Sequence, residues 1–224
     1  MKNKLLGVIS LGCSKNRLDT EGMLYALLQN GFEITEELDQ ADLLIVNTCS
    51  FIQSAKEESI EAILQAGEIK SQKEGCKLLV TGCLPERYRE ELARELPEVD
   101  AFVGVNQYGK IVDIVNRMFE GERIAEFVER AALPLGRVRT TPKHLAYVRI
   151  AEGCDHACAY CAIPSIRGPY RSRPMEEIIE ECKHLIADGA KEIVLIAQDT
   201  SYYGKDLYGG FCLSKLLQKI DTLG

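Results

Sequence analysis

Apolar and polar positions follow two alternating spacings along the first 120 residues. Short runs rich in Leu, Ile and Val predict buried strands, at residues 4–12, 32–35, 42–48, 77–81 and 101–105. Between these runs, apolar residues recur every three or four positions, as at Leu24, Leu27 and Leu28, which is the spacing of an amphipathic helix. Strands that alternate with helices along a chain form parallel sheets. The pattern therefore predicts an α/β fold.

A second α/β pattern follows residues 130–143, a stretch that lacks periodicity and is broken by prolines and a glycine. This composition predicts a linker between residues 1–129, with a doubly wound sheet of the flavodoxin-like type, and residues 144–224. The second domain has predicted strands at 145–151 and 192–197 and predicted helices near 175–187 and 213–220. Two βα units cannot close a barrel. We therefore expect an incomplete (β/α) domain, either because the chain is a fragment or because a partner supplies the rest.

The composition argues against disorder and against a secreted disulfide scaffold. Hydrophobic residues make up 46% of the 224 positions, enough to build buried cores. Nine cysteines, an odd number, favour free thiols or metal ligands in a reducing cytoplasm. Residues 1–132 hold 15 Lys and Arg against 23 Asp and Glu, although the net charge of the whole chain is only −7. An acidic first domain favours a basic protein partner over nucleic acid.

The N-terminal apolar run has a second interpretation. Residues 5–12 follow two lysines and precede Cys13, as in a short signal peptide with a lipid-attachment cysteine. The run is at the lower length limit for such a region, and charged residues follow at once, at positions 17, 19 and 21. A buried strand is the better interpretation. No other segment approaches the length that crosses a membrane, so we expect no membrane partner and a cytoplasmic location.

Cys154, Cys158 and Cys161, the loop cysteines, have the spacing C-x3-C-x2-C. Three thiolates at this spacing match three corners of an iron-sulfur cube and leave one iron open to another ligand. The competing metal is zinc, which takes four ligands in a closed structural site. His156 is the nearest fourth candidate, but its place inside the tight loop makes a shared tetrahedron awkward. The spacing favours a reactive iron-sulfur centre over zinc.

Cys13, Cys49 and Cys83, the strand-end cysteines, each come directly after a predicted strand. The carboxyl ends of parallel strands meet at one edge of a sheet, so these thiols should meet there as a second three-cysteine site. A single cysteine so placed is more simply a buried packing residue. Three at equivalent positions, two of them preceded by glycine, favour a ligand set. The remaining cysteines follow no such pattern and are assigned to packing or to the surface: Cys76, Cys182 and Cys212.

Polar residues near the loop cysteines supply candidate ligand contacts. Arg167, Arg171 and Arg173 follow the loop, where a guanidinium group could recognise a carboxylate; a solvated basic turn explains them equally well. Gln198 and Asp199 come just after the predicted strand 192–197, at the edge where α/β proteins bind ligands. We expect this pair to lie near the loop cysteines.

The loop motif, with Tyr160 before its third cysteine, resembles that of the radical S-adenosylmethionine superfamily, and the upstream strand-end cysteines make the whole chain similar to its methylthiotransferases. The resemblance implies S-adenosylmethionine and two 4Fe-4S clusters. The cluster on the loop cysteines would generate a 5′-deoxyadenosyl radical, and the cluster on the strand-end cysteines would deliver sulfur. Tyr160 would line the adenine site, and Gln198 and Asp199 would hold the methionine moiety. A second S-adenosylmethionine would supply the methyl group.

Three segments resemble one branch of the methylthiotransferases: SLGCSKN at 10–16, VNTCSFI at 46–52 and IAQDT at 196–200. That branch modifies the β carbon of an aspartate in small-subunit ribosomal protein number twelve. The sister branch modifies an isopentenylated adenosine of transfer RNA and differs after the first two of these cysteines. The implied partners are therefore a ribosomal protein, with transfer RNA as the alternative, and an electron donor of the flavodoxin or ferredoxin type.

The chain departs from the family in one respect. Family members have a partial (β/α) radical-SAM barrel and end in a small β-barrel domain associated with substrate binding, and we expect residues 144–224 to form only the first βα units of that barrel. A further alternative is therefore a catalytically silent iron-sulfur module.

Overall fold

The computed structural model describes residues 4–105, 107–127 and 136–223. The chain divides into two compact units, Met1–Val138 and Arg139–Gly224. The boundary between them falls within the stretch 130–143 that the sequence predicts as a linker. Residues 130–135 of that stretch lie outside the described residues.

The first unit contains a parallel sheet of six strands with the order β2-β1-β3-β4-β5-β6. From β2 to β5 this is the flavodoxin-like order of a doubly wound sheet, which confirms the predicted fold class. The strands are β1 (Lys4–Ser10), β2 (Phe32–Ile34), β3 (Leu43–Thr48), β4 (Lys77–Gly82), β5 (Ala101–Val103) and β6 (Ile124–Glu126). The helices are α1 (Ser14–Leu28), α2 (Gln53–Ser71), α3 (Cys83–Glu95, kinked at Arg89) and α4 (Ile111–Phe119), with short 3-10 turns at Leu38–Gln40 and Tyr108–Lys110.

The strands form where the apolar runs predict them, with one addition. The N-terminal run is β1, paired in parallel with both β2 and β3, so the strand interpretation of that run is confirmed. Strand β6 has no counterpart among the predictions. Its sequence, Ile-Ala-Glu, buries only Ile124 and is not part of a longer apolar run.

The core of the first unit is built across neighbouring strands. Val46, Val80 and Phe102 from β3, β4 and β5 pack with Ile63 of α2 and Leu92 of α3, and all five are buried. Burial of each such side chain contributes about 1.5–3 kcal/mol before the cost of conformational entropy. Strands packed in this way hold the loops at their ends in fixed positions.

The second unit pairs β7 (Leu145–Arg149) with β10 (Glu192–Ile196) in parallel, and β8 (Ala151–Glu152) with β9 (Arg171–Ser172) antiparallel. Its helices are α5 (Ile163–Arg167), α6 (Met175–Ala187), α7 (Lys205–Tyr208) and α8 (Leu213–Asp221). Helix α6 has the predicted bounds. The predicted strand 145–151 is divided at Ile150, whose N–H donates to Ile196 while its carbonyl accepts from Arg173. The short elements β9, α5 and α7 do not lie in an apolar run or periodic pattern and were not predicted.

No helix in the described ranges combines the length and the apolar character that crossing a membrane requires.

Gly82, the last residue of β4, lies at a strand end where a side chain has no space. Its φ of +98° and ψ of −156° strain any other residue, and an added Cβ would overlap the carbonyl oxygen of Thr48. Gly121 has a similar φ of +96° but open space around it.

We expect Gly121→Ala to lower the free energy of unfolding by about 1–3 kcal/mol through backbone strain. Gly82→Ala should lose about 1–3 kcal/mol more through overpacking, measured by urea unfolding of the metal-free protein. Equal losses would show that the contact with Thr48 is unimportant.

Candidate functional site

The three strand-end cysteines follow three adjacent parallel strands of the first unit. Cys13 lies between β1 and α1 and is the residue that caps α1, Cys49 follows β3, and Cys83 is the first residue of α3 after β4. The order β1-β3-β4 and the pairings Ser10 with Asn47 and Thr48 with Gly82 bring the ends of these strands to one edge of the sheet. The placement expected from the sequence is the one that the structure has.

The backbone around these cysteines is held closely together. Gly12 has a φ of +90°, and an added Cβ would lie 2.9 Å from Cβ and 3.3 Å from Sγ of Cys49. Only glycine allows this approach without strain. The hydroxyl of Ser59 on α2 accepts from the Cys49 N–H at 3.0 Å and donates to the Cys49 carbonyl at 2.9 Å. Cys49 is therefore fixed both from the β1 loop and from α2.

The residues at this edge fit an iron-sulfur ligand set. Their donors are soft thiol groups, which select iron-sulfur clusters, zinc or copper(I) over magnesium or calcium. Cys13 and Cys83 lie at the N-termini of α1 and α3, the positive ends of the two helix dipoles. Across the described ranges, no three His, Cys, Asp or Glu side chains stand close enough to hold a single metal ion. A cube of iron and sulfur atoms is wider than one ion, so its ligands do not need to crowd around one point.

The cysteines outside both motifs are packing residues or partly exposed. Cys76 and Cys182 are buried, 4% and 0% exposed, and Cys182 lies in the core of the second unit. Burial raises the pKa of the Cys76 thiol, which keeps it neutral and unreactive. Cys212 is partly exposed and donates to the carbonyl of Gly210.

In the second unit, the loop cysteines follow β8 in a turn held by backbone hydrogen bonds. The Cys154 N–H donates to the carbonyl of Gly168 at 3.1 Å, and the Cys161 N–H donates to the carbonyl of Cys158 at 3.0 Å. The Ile163 N–H donates to Sγ of Cys161 at 3.5 Å. Cys158 is exposed and the other two are partly exposed, so all three thiols can be reached from solvent.

A buried network of charges lies directly before the loop cysteines. The carboxylate of Glu152 is 2.9 Å from the guanidinium of Arg149 and 3.6 Å from that of Arg167, and it accepts from Nε2 of Gln198 at 2.9 Å. Burial raises the pKa of Glu152, but the two guanidinium groups and the hydrogen bond from Gln198 outweigh that effect and lower the pKa to about 2. The network joins β7, β8, α5 and the segment after β10.

Gln198 and Asp199 lie beside the loop cysteines, as the sequence predicts. Gln198 is bonded to Glu152, two residues before Cys154. Oδ2 of Asp199 is 2.9 Å from Nε2 of His156, within the cysteine loop, and hydrogen bonds from Ser201 and His156 lower the pKa of Asp199. His156 is therefore hydrogen-bonded to Asp199 within the second unit.

The remaining predicted residues have different surroundings. Tyr160 is 90% exposed, which leaves its ring available to a ligand. Two of the three arginines after the loop are engaged within the unit: Arg167 with Glu152, and Arg173 with Glu181 at 2.6 Å. These two guanidinium groups therefore form ion pairs inside the unit. For Arg171, the structure does not distinguish recognition of a carboxylate ligand from a solvated basic turn.

Two residues of these sites were not singled out from the sequence. Asn16 lies among the strand-end cysteines, with Oδ1 3.9 Å from Sγ of Cys13 and 3.7 Å from Sγ of Cys83. Glu152 organises the buried charges. The sequence contains a feature that could have pointed to each of them. Asn16 follows Cys13 by one helical turn, and Glu152 is a charged residue at the end of an apolar strand.

The fold and the two thiol sites define a class of protein. Residues 148–221 match the radical SAM superfamily, and residues 6–104 match a family described as uncharacterized protein family UPF0004. Among solved structures, the radical S-adenosylmethionine methyltransferase TsrM from Kitasatospora setae, with cobalamin and a [4Fe-4S] cluster bound, has a TM-score of 0.65 and 14% identity. The alignment covers 98% of this chain and 52% of that one, and shows a shared fold. The second unit thus has a radical SAM fold.

The curated relatives narrow this class. The ribosomal protein uS12 methylthiotransferase RimO of Clostridium tetani is 50% identical over 97% of this chain, and that of Thermoanaerobacter sp. is 46% identical over 100% of it. The chain spans about half the length of these relatives, 49% and 51%. The resemblance to the radical SAM methylthiotransferases, and to their ribosomal-protein branch, is confirmed.

Glu152→Gln tests the buried charge network. The variant removes the buried negative charge that faces the guanidinium groups of Arg149 and Arg167, so we expect the free energy of unfolding to fall by about 3–5 kcal/mol at pH 7. Because the folded pKa is lowered to about 2 from 4.5, the stabilisation is present above pH 4.5 and is lost as the pH falls toward 2. Guanidinium unfolding of the metal-free protein measures both effects.

The matched control for this variant is Glu192→Gln, on the exposed position of β10, with an expected change within about 0.5 kcal/mol. If the two variants lose equal stability, the network does not hold the unit together.

Proposed function

We propose that this chain carries the two iron-sulfur sites of a radical S-adenosylmethionine methylthiotransferase. The proposed reaction replaces a hydrogen on the β carbon of an aspartate in ribosomal protein uS12 by a methylthio group. One observation carries the proposal: there are two separate sets of three thiols, one at the ends of three parallel strands of the first unit and one in the loop after β8 of the second unit. The similarity to the uS12 methylthiotransferases over nearly the whole chain supports the choice of reaction.

Each set of thiols has a proposed ligand role. The loop cysteines would hold one 4Fe-4S cluster, and the strand-end cysteines would hold the other. When bound, the cluster on the loop cysteines would supply an electron that cleaves S-adenosylmethionine to methionine and a 5′-deoxyadenosyl radical. Such a radical is needed because the C–H bond to be broken has no acidic proton that a side chain could remove.

The surrounding residues of the second unit would bind and orient S-adenosylmethionine. Gln198 and Asp199 lie at the strand edge next to the loop, at the position proposed for the methionine moiety. Tyr160 would contribute its exposed ring to the adenine site. The hydrogen bond that Gln198 donates to Glu152 and the one between His156 and Asp199 would fix the loop against the end of β10, so that the thiols and the ligand contacts keep one geometry.

The proposed partners follow from charge and chemistry. An acidic stretch at residues 1–132 attracts a basic ribosomal protein at long range, an effect that salt would weaken. Reduction of the cluster requires an electron donor, which we propose to be of the flavodoxin or ferredoxin type. An isopentenylated transfer RNA remains the alternative substrate, and the substrate experiment below distinguishes the two.

Cys49→Ala tests the cluster assignment. After anaerobic reconstitution with iron and sulfide we expect about eight irons per wild-type chain and about four in the variant, because only the first unit loses its cluster. Cleavage of S-adenosylmethionine by the reduced protein should be retained, and sulfur insertion should be abolished. Iron content by colorimetric assay and 5′-deoxyadenosine by chromatography measure the first two effects.

Cys76→Ala is the control for Cys49→Ala, since Cys76 is buried away from both motifs; it should retain about eight irons. An unchanged iron content in Cys49→Ala would return Cys49 to the packing residues. Zinc at full occupancy, with no iron loaded, would contradict the proposed function as a whole.

Mass spectrometry of the products identifies the substrate. The reconstituted chain, a chemical reductant and S-adenosylmethionine are incubated either with uS12 or with isopentenylated transfer RNA. The proposal predicts a methylthio group on an aspartate of uS12 and none on the RNA. Modification of the RNA would favour the alternative substrate. Cleavage of S-adenosylmethionine with neither product would favour an iron-sulfur module that lacks transferase activity by itself.

A further inference from the structure

Asn16 occupies the centre of the strand-end cysteines. It lies in the first turn of α1, three residues after Cys13, and its side chain is fully buried. Its Nδ2 donates to the carbonyl of Leu11 at 3.2 Å and to that of Thr48 at 2.7 Å. Leu11 lies two residues before Cys13, and Thr48 lies directly before Cys49. One amide group therefore ties together the backbone segments that lead into two of the three thiols.

The orientation of the amide is determined by these bonds. Both partners of Nδ2 are carbonyl oxygens, which only accept, so the group facing them must be the NH2 group. Oδ1 is thereby directed toward the sulfur atoms, 3.9 Å from Sγ of Cys13 and 3.7 Å from Sγ of Cys83. In the metal-free chain, Oδ1 can accept the weak hydrogen bonds of both thiols. The same side chain thus reaches the third cysteine.

A second layer of bonds holds Asn16 in place. Its backbone carbonyl accepts from Nδ2 of Asn47 at 2.8 Å, and the same Nδ2 contacts the hydroxyl of Thr20 at 2.9 Å. Thr20 is in turn 2.8 Å from the hydroxyl of Ser10 at the end of β1. These side chains lie at the carboxyl ends of β1 and β3 and on α1. Movement of Asn16 would require several buried hydrogen bonds to break together.

We propose that Asn16 is the positioning residue of the first-unit cluster: it holds the three strand-end cysteines at one spacing and keeps a neutral group against the sulfur atoms of Cys13 and Cys83. This inference rests on the proposed function, in which these thiols are cluster ligands. Cluster binding releases the thiol protons, and a neutral amide opposes the resulting negative charge far less than a carboxylate would. Asparagine meets both needs, because it donates to two carbonyl groups and carries no charge.

Asn16→Asp tests the proposal with almost no change in shape. The carboxylate cannot donate to Leu11 and Thr48, and it adds a negative charge beside two thiolates. The experiment uses the full chain with Cys154, Cys158 and Cys161 replaced by alanine, so that only the first-unit cluster can form. After anaerobic reconstitution, the rate of iron loss to a chelator is measured, together with the electron paramagnetic resonance spectrum of the reduced cluster.

We expect Asn16→Asp to lose its iron about 10- to 100-fold faster than the background chain, as is usual when a partner of a metal ligand is removed. The spectrum should also change. Asn16→Ala, which loses the same two bonds without adding charge, should give a smaller acceleration. If the aspartate variant does not fold, the alanine variant still tests the proposal.

Thr81→Val is the matched control. Thr81 is buried in β4, and its hydroxyl donates to the carbonyl of Val103 at 2.9 Å, so the variant loses a buried bond at a side chain that bonds no sulfur atom. It should keep the background rate and spectrum, even where its stability falls as far as that of the Asn16 variants. If the control and both Asn16 variants lose iron at the same rate, the proposed role of Asn16 is wrong, while the proposed function of the site is unaffected. If the background chain binds no iron, the proposed function fails at this site, and the role of Asn16 fails with it.

Discussion

The parallel pairing of β1, β3 and β4 is the constraint on which the first site depends. Each strand is hydrogen-bonded to the next in a register that ends all three at the same edge. Cysteines separated by more than thirty residues in the sequence therefore lie together without any covalent link. The buried faces of these strands fix the register, because a slip by one residue would turn the apolar side chains away from the core. Packing far from the thiols thus determines where the thiols are.

The two units position their thiols by different physical means. In the first unit, a neutral buried amide and close backbone contacts hold three distant segments together. In the second unit, the thiols lie in one loop, and the buried carboxylate of Glu152 with its arginine partners supports the strand that leads into it. Isolated buried charge is costly, so the second arrangement is stable only because each charged group has a partner of opposite sign.

Much of the fold follows from the sequence because its main elements are long and periodic. The five predicted strands of the first unit and helix α6 lie where the apolar patterns place them. The short strands β6 and β9 were missed, since neither lies in a run of apolar residues and their pairing is decided by neighbours distant in the sequence. Similarly, Asn16 has the sequence context of an ordinary polar helix residue. Its contacts with Leu11, Thr48 and two sulfur atoms exist only after the strands have assembled.

The sequence by itself determined the types and spacing of the thiols, and with them the chemistry that they can support, because ligand identity and local spacing are properties of the covalent chain. It also determined the α/β alternation, since hydrophobic periodicity is local. The tertiary structure alone decided which polar groups surround the thiols: Asn16 between Cys13 and Cys83, and Glu152 between two arginines before Cys154. Such contacts join segments far apart in the chain, and burial makes them strong by removing the competing water.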